Sequence, residues 1–234
     1  MVFTVADFLK TFREPAAECI LTFRAASKTA RFRTALIVYF GVVAVYYGCN
    51  GEKLDEKPET LTHLRGNQLI EKDAPLIVFR GKVDTLTAMI LEAQILGGEM
   101  ENAAFIRDLQ EILVFVRSLL SAEYQGTPLG TFRVLGLSSG ELRERSHHPE
   151  KYFGCKHLLM DYTMGALSLR LNLLRTAARE TELAAVSAFK DESCPGKSLR
   201  PDIVEALNRL SSIFYVLMFA YLPEHFTPAG DAGI

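Results

Sequence analysis

From about residue 57 onward, apolar side chains fall at three- and four-residue spacing, and four stretches sustain the pattern: 83–96, 103–123, 162–189 and 201–221. That spacing lines one face of an α-helix. Four helices with one apolar stripe each bury those stripes by packing on one another, so an all-α helical bundle is the predicted architecture. Gly97-Gly98 is expected to separate the first helix from the second. Gly126-Thr-Pro128 ends the second, and Ser193-Cys-Pro-Gly196 lies between the last two. Pro201 opening a helix, with Asp202 and Glu205 close behind, fits the preferences of a helix N-terminus. Residues 127–160 are irregular apart from a short helix expected over 139–146, and a connection of that length is usually functional or a lid.

Residues 1–56 read differently and form a small appendage with β character. The run 35–48 (ALIVYFGVVAVYYG) is almost wholly apolar and follows Lys28, Arg31 and Arg33. A membrane-spanning helix needs about 20 apolar residues, so this run is too short, and no transmembrane segment is expected. Its Val, Ile and Tyr content predicts a buried strand or a β-hairpin around Gly41, with peripheral membrane contact as the alternative. The organisation is therefore an appendage over 1–56, a bundle over 57–222 and a tail over 223–234. With 49% apolar residues among 234, the chain can bury a sizeable core. A net charge of −2 supplies no basic footprint for nucleic acid. Cys19, Cys49, Cys155 and Cys194 form no C-x-x-C pair and read as reduced thiols of a cytoplasmic protein.

The chemistry-bearing feature is Arg175-Thr-Ala-Ala-Arg-Glu-Thr-Glu182. Steps of four and seven residues bring Arg175, Arg179 and Glu182 within about 60° of one another on a helix, while Glu180 points elsewhere. Two guanidiniums and a carboxylate on one stripe suit a phosphorylated ligand; a solvated salt-bridge face is the alternative. His147, His148 and His157 lie in the irregular segment without ligand spacing and read as surface or capping histidines, with ligand or metal contact as the alternative.

Four blocks together resemble the ethanolamine-utilisation corrinoid adenosyltransferases: KPETLTHLRGNQLIEKDAPLIVFRGKVDTLTAMI (57–90), ELRERSHHPEKYF (141–153), LNLLRTAARETELAAVSAF (171–189) and LRPDIVEALNRLSSIFYVLM (199–218). More distantly they are similar to the propanediol-utilisation ATP:cob(I)alamin adenosyltransferases, with their R-T-x-x-R-x-x-E and L-N-R-L-S-D elements. The resemblance implies a five-helix bundle assembled as a homo-oligomer, a trimer or else a dimer, with sites between subunits. It also implies ATP, Mg²⁺ and cobalamin as the bound species and a reductase as partner. Transfer of the 5'-deoxyadenosyl group of ATP to cob(I)alamin would serve ethanolamine catabolism in the cytoplasm or a bacterial microcompartment.

Carried over by position, Arg175, Arg179 and Glu182 match the residues that hold ATP phosphates and Mg²⁺ or orient the ribose. Asp84, in Gly81-Lys-Val-Asp84, matches an aspartate that reaches across a subunit interface to Arg175; its alternative is an acidic residue in a helix's first turn. Asn208 and Arg209 match a nucleotide-contacting pair; the alternative for Asn208 is a satisfied interhelical amide, and its place in a matched block favours the functional reading. Lys57, Thr60, Thr62 and Lys72 fall in the phosphate-binding segment, and Phe79, Tyr152 and Phe153 are candidate walls of an apolar corrinoid pocket. Such a transfer needs no protein nucleophile, since the reduced cofactor attacks and the protein supplies orientation and electrostatics.

Two departures mark this chain. The Gly-Asp-Gly residues of the propanediol-type phosphate loop are missing from 57–64, and Ser212 stands where that type has aspartate. Some ethanolamine-type members carry a histidine and a Cys-Cys-x-x-Cys cluster before the KP-x-TLTHL block; only Cys49 is found there, so no protein-built metal site is expected. The alternatives to an enzyme are a non-catalytic corrinoid or nucleotide carrier and a microcompartment structural protein on the same bundle.

Overall fold

The computed structural model describes residues 45–48, 51–194, 196–224 and 226, all within the unit Val43–Ile234. The strand or hairpin expected over 35–48 falls mostly outside them, leaving only its last residues in view. Two short strands, β1 (Tyr46–Tyr47) and β2 (Lys53–Leu54), precede a hairpin of β3 (Leu61–Arg65) and β4 (Gln68–Glu71). The sheet order is β2-β1-β4-β3, antiparallel except where β1 runs parallel to β4. The helical pattern expected from residue 57 therefore begins later. Thr60 and Thr62 flank alternating positions, and Gly66, at φ 54°, turns the chain back on itself before any helix starts.

Four long helices follow in the described residues. They are α1 (Pro75–Glu99), α2 (Ala103–Gln125), α5 (Gly165–Ala188) and α6 (Pro201–Ala220), with the short α3 (Ser139–His147) and α4 (Pro149–Phe153) between the second and third long ones. A tight hairpin, β5 (Arg133–Val134) and β6 (Leu137–Ser138), leads into α3. Helix α5 is the centre of the bundle: it packs on α6 and on α1, while α2 covers α1 and α3 covers α6. The architecture is the all-α bundle with a little β structure that the periodicity predicts.

Helix α1 corrects two expectations. It starts eight residues earlier than the apolar repeat suggests, with Pro75 in its first turn. It also runs through Gly97 and Gly98. A Cβ on Gly97 would lie 2.8 Å from the Phe105 ring, so this glycine lets α2 approach α1. The break instead falls at Met100–Asn102, where Glu101 adopts φ 53° and the Asn102 side chain accepts from Phe105 N–H at 2.9 Å to cap α2. Gly126 ends α2 at φ 69°, as expected.

The core joins Phe79, Leu86, Ile90, Phe105, Leu109, Ile112, Leu171, Leu174, Leu207, Leu210 and Phe214, all buried. Helix α6 is long and apolar enough by length and composition to cross a bilayer, but half of that stretch is buried within the bundle. Its apolar face is accordingly a core face. Phe79 is fully buried and edge-on to Phe189 at 5.2 Å, which makes it core rather than the wall of a ligand pocket.

One polar linkage ties the β3–β4 hairpin to the bundle. Arg80 of α1 donates to both carboxylate oxygens of the buried Glu123, through Nε at 2.7 Å and Nη2 at 3.0 Å, while its Nη1 donates to the Leu64 carbonyl at 2.9 Å. Arg65 adds a bond to the Glu123 backbone oxygen at 2.8 Å. A second linkage sits at the start of α6, where Arg200 binds Asp202 through Nε at 3.0 Å and Nη2 at 2.9 Å, and donates to Thr127 O and Ala122 O.

Candidate functional site

Helix α5 sends its polar residues in two directions, as its spacing requires. Glu180 turns toward α1 and accepts from Lys82 Nζ at 2.7 Å. Arg175 and Arg179 instead enter a cavity of about 350 Å³ between α5, α6, the end of α3 and the irregular segment 154–161. Ser146, His157, Leu158, Met160, Ser211, Ser212 and Tyr215 complete its lining.

No ion pair among the described residues engages either arginine. Arg175 is half-buried and donates from Nε to Asn172 Oδ1 at 3.0 Å, which orients the guanidinium without neutralising it. Burial, and then the like charge of Arg179, lower the Arg175 pKa. Guanidinium nevertheless remains charged in proteins. The cavity is thus lined by two cationic groups, Arg175 half-buried and Arg179 exposed, and an anion with several oxygens would suit both.

Glu182 lies one turn beyond Arg179 and accepts from Asn208 Nδ2 of α6 at 2.8 Å. Among the described residues Glu182 makes no ion pair with either arginine. Asn208 is an interhelical amide, and its bond orients Glu182. Arg209, its neighbour, has a buried Nε with no hydrogen-bond partner among the described residues, a costly state for a charged donor.

The other carried-over residues stand apart from this cavity in the single chain. Asp84 is exposed in the middle of α1, ten residues into the helix, so the first-turn reading fails. Lys57 and Thr60 lie in the approach to β3, Thr62 pairs with Ile70 in the hairpin, and Lys72 faces Glu59 at 3.6 Å. Tyr152 is exposed beneath Arg145 and Lys151, and Phe153 stacks on Phe219 at 4.5 Å. His147, His148 and His157 line a second cavity of about 940 Å³ with Lys151 and Lys156, and His157 is common to both cavities. No group of three or more His, Cys, Asp or Glu side chains positioned for a metal occurs among the described residues. Cys155 and Cys194 are free thiols, and Cys19 and Cys49 lie outside the described residues.

Sequence reasoning overlooked Tyr215 and Ser211, and read Ser212 only as a departure from the propanediol type. Their signal was present: Asn208, Ser211, Ser212 and Tyr215 recur at three- and four-residue steps, a polar stripe along an otherwise apolar helix.

Fold and cavity define a helical bundle with a cationic cavity, in which α5 supplies the two arginines and α6 contributes Ser211, Ser212 and Tyr215. The family model for cobalamin adenosyltransferase matches residues 54–221, and the chain belongs to that family. It is 38% identical over 163 residues to the corrinoid adenosyltransferase EutT of Escherichia coli strain K12, covering 70% of this chain and 59% of that protein. It is 36% identical over 170 residues to the corrinoid adenosyltransferase EutT of Salmonella typhimurium, covering 73% of this chain and 61% of the relative. The chain thus spans about three-fifths of the length of these curated relatives. No solved structure matches it.

Proposed function

We propose that this protein transfers the 5'-deoxyadenosyl group of ATP to a cob(I)alamin-type corrinoid in ethanolamine catabolism. The observation that carries the reading is the pair Arg175 and Arg179, charged, adjacent and free of carboxylate partners among the described residues, in one cavity of a chain from this family. In the reaction Co(I) attacks C5', the cobalt–carbon bond forms and the C5'–oxygen bond breaks. The bond's electron pair leaves with triphosphate, and cobalt passes formally from Co(I) to Co(III). Negative charge develops on the leaving triphosphate, and preorganised guanidiniums lower the barrier by meeting it there. Arg175 is preorganised by Asn172, and Glu182 by Asn208.

Mg²⁺ is commonly held by one or two carboxylates with phosphate oxygens and water, and Glu182 is the carboxylate on the arginine stripe that would meet it. Lys57, Thr60, Thr62 and Lys72 support phosphate binding from a second copy of the chain. Asp84 fits the same arrangement: it is exposed, has no ion pair among the described residues, and shares an outer stripe of α1 with the exposed Leu91 and Ile95. A homo-oligomer, a trimer in preference to a dimer, would cover that stripe and bring Asp84 to a neighbour's Arg175. A cytoplasmic setting and a separate reductase complete the reading.

The test is to mix the purified protein with ATP, Mg²⁺ and chemically reduced cob(I)alamin and follow the corrinoid spectrum. ATP-dependent, light-labile product supports the enzyme. Binding of ATP or corrinoid without product would favour a carrier, and binding of neither would leave a structural bundle.

A further inference from the structure

The irregular segment 154–161 borders the arginine cavity, yet it has few backbone bonds of its own. A ladder of rings reaching up from α6 helps to hold it. Phe153 stacks on Phe219 at 4.5 Å, and Phe219 meets Tyr215 edge-on at 5.3 Å. Tyr215 in turn lies alongside the His157 ring at 6.1 Å. At the top of the ladder the Tyr215 hydroxyl makes two bonds, one with His157 Nδ1 at 3.0 Å and one accepted from the Leu158 N–H at 3.3 Å. His157, Leu158 and Met160 are the residues of this segment that wall the cavity, with Tyr215 beside them. Burial raises the Tyr215 pKa, so the hydroxyl stays protonated at neutral pH.

We propose that Tyr215 is a positioning residue: its hydroxyl, bonded to His157 and to the Leu158 amide, holds residues 154–161 as a wall of the Arg175–Arg179 cavity and so preforms the phosphate pocket. This rests on the reading of that cavity as the ATP site. A loop that is ordered before ATP arrives adds no ordering cost to binding. Without the hydroxyl the segment must be ordered at each binding event, so the effect appears in KM for ATP. It is not expected in the chemical step, because the hydroxyl acts through His157 and Leu158.

The experiment compares Tyr215→Phe, His157→Ala and the double variant with the parent protein. Tyr215→Phe keeps the ring ladder and loses only the two bonds. Its KM for ATP is expected to rise about tenfold with kcat within about twofold, the loss of one to two hydrogen bonds. Hydrogen exchange at the Leu158 amide should accelerate in the same variant without ATP present. His157→Ala should give a smaller rise, and the double variant should match Tyr215→Phe, because both residues act through one hydroxyl. A Tyr215→Phe protein with unchanged KM and unchanged Leu158 exchange overturns the proposal, as does a fall in kcat at constant KM. A parent protein that binds no ATP defeats the functional reading itself, whereas ATP binding with an insensitive Tyr215→Phe defeats only this inference.

Discussion

Replacing Glu123 by alanine should be among the most damaging single changes in the bundle. The carboxylate is 3% exposed and binds Arg80 through two bonds of 2.7 and 3.0 Å, and the Arg80 side chain is itself only 17% exposed. Removing one partner of such a pair leaves an uncompensated buried charge, a loss of about 3–5 kcal/mol. Arg65 adds little, since its side chain is about half exposed and its contact to the carboxylate is 3.8 Å. Because Arg80 keeps its bond to Leu64 O, the lower end of the range, about 3 kcal/mol, is expected. For a chain of this size that corresponds to a fall in Tm of roughly 6–12 °C. Thermal and urea unfolding followed by far-ultraviolet circular dichroism measures it. The double variant Arg80→Met, Glu123→Leu removes both charges and should be more stable than Glu123→Ala alone. A Glu123→Ala protein within 1 kcal/mol of the parent, taking about 1 kcal/mol as the size of a surface pair, or a double variant whose loss equals the sum of the single losses, would refute the reasoning. If the hairpin contributes to phosphate binding, Glu123→Ala should also weaken ATP binding below its unfolding temperature.

Arg175→Ala and Glu182→Gln should each lower turnover by about a hundredfold or more with an unchanged circular dichroism spectrum, the scale of losing one preorganised charge-stabilising group; activity near that of the parent would remove these residues from the site. Asp202, held by Arg200, has its pKa lowered from 3.8 to about 2. A depressed carboxylate contributes stability above its unfolded pKa and loses it as pH falls through the folded one, so about 2 kcal/mol should vanish between about pH 4 and pH 2. Denaturant titrations of the parent and Asp202→Asn across that window should converge. Gly97→Ala should destabilise by about 1–3 kcal/mol through its clash with Phe105, whereas Gly98→Ala, with open space around the added Cβ, should stabilise by up to about 1 kcal/mol.

Much of the fold is legible without coordinates because helices write a local signal. The apolar repeats place α2, α5 and α6 to within a few residues, Gly126 and Pro201 mark real helix ends, and Ser139 begins the short α3 as expected. Errors collect where a local cue had a non-local cause. Gly97-Gly98 reads as a breaker, yet Gly97 is a contact surface for a ring on the next helix. Asp84 reads as a first-turn residue because the apolar repeat hides the first two turns of α1, whose start is set by Pro75 and by the hairpin leading into it.

The candidate site divides in the same way. Spacing alone put Arg175, Arg179 and Glu182 on one stripe and turned Glu180 away, because the angle per residue of a helix is a property of the backbone and needs no partner. Whether a stripe of charge is neutralised depends on what packs against it. Only the tertiary structure decided that Glu182 spends its hydrogen bond on Asn208, that the arginines share a cavity free of carboxylate partners among the described residues, and that the Tyr215 hydroxyl meets His157 and the Leu158 N–H. Residues 182 and 208 are joined by 2.8 Å but separated by 26 positions in the chain. Periodicity records which side of a helix a residue occupies; the packing of α5 against α6 determines what it meets there.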